Sequence, residues 1–126
     1  MARTSKTTNI SESEWEVMSV VWDLGSATAR EVIARLSKSK DWHPRTIKTL
    51  LGRLATKGAL RHESEGNRYR YFPSISRQDA VDAETDSFVR RMFGGRTSPL
   101  LVHFVQDSDL STDDIDELRR LLDEKV

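Results

Sequence analysis

The sequence predicts a mostly α-helical chain with one small β-hairpin: three helices, a two-stranded ribbon, then three more helices. Three observations carry that expectation. Apolar residues recur at helical spacing in blocks that end at glycine. The first two blocks each open on a Ser or Thr followed three residues later by Glu, the pattern of a reciprocal helix cap. Between the third and fourth blocks, two short runs with alternating side chains flank Gly66-Asn67.

The first helix starts at Ile10-Ser11-Glu12-Ser13-Glu14-Trp15, where Ser11 and Glu14 can cap each other and Ile10 can staple onto Trp15. Trp15, Met18, Val21 and Trp22 give it one apolar face, and Gly25 ends it. A second cap pairs Thr28 with Glu31, and Val32, Ile33 and Leu36 form the buried side of a shorter helix. Asp41-Trp42-His43-Pro44 breaks the pattern. Pro44 suits the first turn of a third helix, where its missing N–H costs nothing. That helix, running to Lys57 before Gly58, buries Ile47, Leu50, Leu51 and Leu54.

Two strands are expected at residues 59–63 and 68–72, joined by Ser64-Glu65-Gly66-Asn67, where Gly and Asn tolerate the positive φ of a tight turn. Tyr69 and Tyr71 share one face, and Arg68, Arg70 and Phe72 the other. Residues 76–93 read as a long helix with a sparse stripe of Val81, Phe88, Val89 and Met92, broken by Gly94-Gly95. Residues 98–106 form a short, very apolar helix. Ser111 caps the last helix, with Asp113 and Asp114 at its positive end and Ile115, Leu118, Leu121 and Leu122 on its apolar face.

Helix, helix, helix and ribbon in that order define a winged helix-turn-helix, here followed by a helical appendage. The domain reading is a flexible tail at residues 1–9, a winged helix at 10–73 and a helical dimerisation region at 74–126. The appendage is short and poor in apolar residues, so it lacks the means to build a core alone. A second copy would bury its stripes, with Phe88, Leu101, Phe104, Ile115, Leu118 and Leu122 as the expected dimer contacts.

Charge points to the partner. The net charge of zero conceals 13 Lys/Arg against 8 Asp/Glu in residues 1–72, and 7 against 12 in residues 73–126. No acid lies between Trp42 and His62. Only the first part is suited to a polyanion. In a helix-turn-helix the second helix enters the major groove, which places Arg45, Thr46, Lys48 and Thr49 at base edges. Arg53 lies where a phosphate contact is expected, and Arg68 and Arg70 lie on the wing, beside the backbone or minor groove. The expected partner is double-stranded operator DNA. A basic helix face also fits an acidic protein, and salt-sensitive binding to duplex DNA separates the two readings.

Other classes are disfavoured. There is no cysteine, which excludes disulfides and thiolate metal sites. His43, His62 and His103 lack metal-ligand spacing. No nucleophile motif or phosphate loop is present, so neither an enzyme nor a cofactor is expected. No apolar run could span a bilayer and residues 1–9 lack a signal-peptide core, so a cytoplasmic protein without membrane insertion is expected. The three tryptophans read as packing groups, with Trp42 anchoring the turn.

The runs Ile10 to Met18 with Trp22, Asp41 to Leu54, Lys57-Gly58, Tyr69-Arg70-Tyr71, Phe93-Gly94-Gly95 and Leu118 to Leu122 resemble the penicillinase repressors of the BlaI/MecI group, with the related CopY-type copper repressors. The resemblance covers almost the whole chain from Ile10. It implies a homodimer with its winged helix on a palindromic operator, repressing a resistance or cell-envelope operon. In antibiotic-responsive members a membrane sensor-protease signals, and the repressor is cut within its dimerisation region. The matching segment is Val102-His103-Phe104-Val105, which marks His103 and Phe104 as the implied cleavage position, with His103 where the best-known members have Asn. Copper-responsive members use cysteine pairs that this chain lacks. His43 replaces a frequent Ser, which weakens the expected cap of the third helix.

Overall fold

Both reciprocal caps form as the residue spacing predicts. A computed structural model describes residues 9–126, so the expected flexible tail at 1–9 lies outside the described residues except for Asn9. Ser11 caps α1 (Glu12–Leu24), where its hydroxyl accepts from the Glu14 N–H at 3.1 Å and Glu14 accepts from the Ser11 N–H at 2.8 Å. Thr28 and Glu31 repeat the arrangement at α2 (Ala29–Leu36). Pro44 opens α3 (Pro44–Lys57), and Gly58 ends it in the left-handed conformation at φ 87°, which a side chain would strain. The imidazole of His43 substitutes for a hydroxyl cap: its Nδ1 accepts from the Arg45 N–H at 3.0 Å.

The sheet has three strands rather than the two expected. The added strand is β1 (Ala27–Thr28), and β2 (Leu60–Glu65) and β3 (Arg68–Pro73) form the hairpin. All pair antiparallel in the order β1-β3-β2, with Thr28 opposite Arg70, His62 opposite Tyr71 and Glu65 opposite Arg68. The strands therefore extend further than expected, and the turn contracts to Gly66-Asn67, with Gly66 at φ 66°. Alternation sorts the faces as read: His62, Tyr69 and Tyr71 form an aromatic cluster on one, and Arg61 lies over Phe72 on the other.

The core of the first unit draws on α1, α2, α3 and the base of the hairpin. Val17, Met18, Val21, Val32, Ile47, Leu51 and Leu54 are fully buried, each stabilising the fold by about 1.5–3 kcal/mol relative to exposure. Trp15 and Trp22 meet edge to face at 5.4 Å and, like Trp42, pack on this core as half-buried groups.

Three further helices follow: α4 (Arg77–Phe93), α5 (Thr97–Asp107) and α6 (Thr112–Glu124). The chain divides into two compact units, Met1–Ser87 and Phe88–Val126, so the division falls inside α4. A boundary at residue 73 would separate groups that pack together. The Trp22 indole donates to the Ile75 carbonyl at 2.9 Å, Arg77 bonds Asp23 at 2.8 Å, and Ala80 lies in the first unit's core.

In the second unit Val89 and Leu100 are buried, and Phe88 meets Phe93 at 6.1 Å. Ser111 caps α6 reciprocally with Asp114, at 3.0 and 3.2 Å. No residue of α6 is buried, although Ile115, Leu118, Leu121 and Leu122 line one side of it. No helix among the described residues is long and apolar enough to cross a membrane.

Candidate nucleic-acid interface

The i, i+3, i+4, i+7 spacing of Ile47, Leu50, Leu51 and Leu54 dictates which side of α3 meets water. Those four are buried, and Arg45, Thr46, Lys48, Thr49, Gly52, Arg53 and Thr56 are exposed. Among the described residues, Arg45, Lys48 and Arg53 have no carboxylate within ion-pair distance. The Thr49 hydroxyl donates back to the Arg45 carbonyl at 3.0 Å, which fixes its orientation on the helix surface. The first turn of α3 has no acid, in contrast to those of α1, α2 and α6, so nothing on it offsets the positive end of the helix. The exposed side-chain cations here can attract phosphate and donate to guanine edges.

Lys57, the last residue of α3, has a different role. Its ammonium pairs at 2.5 Å with Glu14, whose side chain is 2% exposed, and also bonds the Asn9 carbonyl. Burial alone would raise the Glu14 carboxyl. The hydrogen bonds from Lys57 and Ser11 outweigh burial and hold it below its ordinary value of 4.5. This pair ties the end of α3 to the start of α1.

The wing divides the two arginines expected to act alike. Arg68 is exposed, with only a loose approach to Glu65 at 4.0 Å. Arg70 is three-quarters covered. It grips both oxygens of Glu65 at 2.9 and 3.2 Å, and its third nitrogen reaches Ser26 at 3.3 Å and Glu31 at 3.4 Å. The hydrogen bond from Arg70 lowers the Glu65 carboxyl, and Glu65 in turn raises the guanidinium. Arg70 thus braces the wing against the start of α2 instead of projecting from it.

Sequence reasoning missed two exposed groups beside this surface. Arg30, in the first turn of α2, and Tyr69, on the wing, line one cleft of about 620 Å³ together with Lys48 and Arg68. A signal for Arg30 was present: a cation at the positive end of a helix opposes the dipole and costs stability. The implied cleavage pair lies on α5, apart from these groups in sequence. His103 is exposed and bonds Asp107 at 3.0 Å, and Phe104 is half exposed.

A family model described as Penicillinase repressor matches residues 10–124. The penicillinase repressor of Bacillus licheniformis is 40% identical over 119 residues, covering 94% of this chain and 93% of that protein. The methicillin resistance regulatory protein MecI of Staphylococcus aureus (strain N315) is 35% identical over 121 residues, covering 96% of this chain and 98% of that protein. Among solved structures, the monomeric form of Bacillus licheniformis BlaI in complex with the blaP half-operator aligns with a TM-score of 0.50 at 48% identity. That alignment covers 56% of this chain and 87% of the BlaI chain.

Proposed function

The chain belongs to the penicillinase repressor family, and from that premise we propose that it represses transcription as a homodimer on a two-fold operator, reading each half-site with α3. It is a sequence-specific DNA-binding protein and not an enzyme. The observation that carries the reading is the solvent face of α3, whose cations Arg45, Lys48 and Arg53 are exposed and, among the described residues, have no carboxylate within ion-pair distance. Arg45, Thr46, Lys48 and Thr49 meet base edges, and Arg53 and Arg68 meet phosphates. Arg70 supports the wing that presents Arg68.

The test is a binding series on operator and scrambled duplexes. Lys48→Ala or Arg45→Ala is expected to lose about 1–3 kcal/mol on the operator and to relax discrimination at one base pair. If both leave operator affinity and discrimination unchanged, α3 does not read the bases.

Dimerisation is proposed for the second unit. A unit of about 40 residues is too small to be stable on its exposed apolar stripes alone. Phe88, Leu101, Phe104, Ile115 and Leu122 are exposed and Leu118 is half-buried. A groove of about 250 Å³ between α5 and α6, lined by Val105, Ile115, Leu118 and Leu122, offers a seat for side chains of a second copy.

The relatives' names point to a resistance operon, and we propose that the chain acts in the cytoplasm under signals from a membrane sensor-protease. On this reading, relief of repression comes from a cut at His103-Phe104, which would sever α6 from the winged helix. In cells treated with a cell-wall antibiotic, mass spectrometry is expected to find fragments ending at His103 as repression lifts. Derepression with every copy intact would exclude this route.

A further inference from the structure

We infer that the cleft between α2, α3 and the wing cradles one sugar–phosphate strand of the operator, with Arg30 as a phosphate-binding residue on the wall opposite the wing. The inference rests on the DNA-binding reading and adds to it a residue outside α3 and the wing.

The cleft is chemically suited to a polyanion. Arg30, Lys48 and Arg68 line it and no acid does. The two acids that neighbour the lining residues in sequence are Glu31, next to Arg30, and Glu65, at the base of the wing turn. Both are engaged by Arg70, at 3.4 and 2.9 Å. Arg70 therefore offsets part of the negative charge that would otherwise repel a phosphate. Tyr69 supplies a neutral hydroxyl donor, and its ring is stacked on His62 at 4.2 Å, which limits its movement. Ala29 and Ile33 contribute apolar surface, which suits the deoxyribose carbons between phosphates.

Arg30 carries the argument furthest. It occupies the second position of α2, where the helix dipole favours an acid, and it is exposed without a carboxylate partner among the described residues. Folding gains nothing from a cation at that point, whereas a phosphate in the cleft would. A helix lying in the major groove leaves one backbone strand along its flank, and the wing and the start of α2 would close on that strand from either side.

The experiment compares the full-length chain with Arg30→Ala and Arg30→Lys on operator and scrambled duplexes across a salt series, with Lys48→Ala as reference. Arg30→Ala is expected to weaken both duplexes by the same severalfold factor and to reduce the log–log salt slope by about one. Arg30→Lys is expected to restore the slope, because a single charge suffices for a phosphate. Unchanged affinity and slope in Arg30→Ala, beside a loss in Lys48→Ala, would overturn the cradle and leave the DNA reading standing. A loss confined to one base pair of the operator would make Arg30 a base contact and also overturn it. If the parent chain itself bound neither duplex, the DNA reading would fail, and the cradle with it; silence of both Arg30→Ala and Lys48→Ala beside parent binding would overturn the cradle alone.

Discussion

Leu122→Asp should convert the protein to a monomer and lower its affinity for the full operator by about 10²- to 10⁴-fold, while its affinity for an isolated half-site stays the same. Leu122 is exposed on α6, a helix with an apolar stripe and no buried residue. A carboxylate there would have to be desolvated for a second copy to seat. The loss is large because two linked half-sites bind with an effective concentration that separate monomers lack. Sedimentation and paired titrations on full and half operators measure both consequences. A Leu122→Asp protein that sediments as a dimer would place the interface elsewhere.

The second large effect concerns stability. Lys57→Ala should cost about 3 kcal/mol, because it leaves the carboxylate of Glu14 buried without its cation. That is a substantial fraction of the roughly 5–15 kcal/mol that holds an ordinary domain together. The figure lies at the low end for such pairs because Lys57 keeps 30% of its side chain in solvent. The same pair sets an acid limb. The folded Glu14 carboxyl lies below 4.5, so its stabilising contribution is complete above that pH and fades as the pH falls through the lower, folded value. Urea midpoints measured from pH 7 down to pH 3 should fall more steeply in the parent chain than in Glu14→Gln. Equal slopes would mean that other carboxylates govern acid unfolding.

Much of the fold is legible in the residues because its signals are local. Pro44, the Ile47 to Leu54 periodicity and Gly58 delimit α3 within a few residues of chain, and the resulting bounds agree with the structure. Both N-terminal capping boxes follow from side chains three residues apart. What escaped depends on distant partners. β1 is two residues long, too short to alternate, and exists only because β3 pairs with it. Glu14 is readable as a cap, but its partner Lys57 lies 43 residues away. Arg68 and Arg70 look equivalent on a strand, yet only Arg70 meets Glu31, 39 residues distant. Pro73 marks the end of the hairpin plainly. It does not mark the end of the first unit, because Ile75 and Ala80 continue the packing beyond it. The candidate site was read on α3 and the wing, where cations cluster, so a lone Arg30 on α2 stayed out of view.

The brace at Arg70 bears on how such a protein can acquire a new target. Its guanidinium ties the wing to the loop and helix before the turn, through Ser26 and Glu31, and takes no bond from α3. Thr28 reinforces the same link by pairing with Arg70 across the strands. The brace therefore steadies the wing without engaging the solvent face of α3. On the proposed reading, exchanging Arg45, Thr46 and Thr49 for another set would alter the letters read and leave the Arg70 brace in place. Operator choice becomes a transplantable trait, open to drift or redesign a few positions at a time without rebuilding the scaffold.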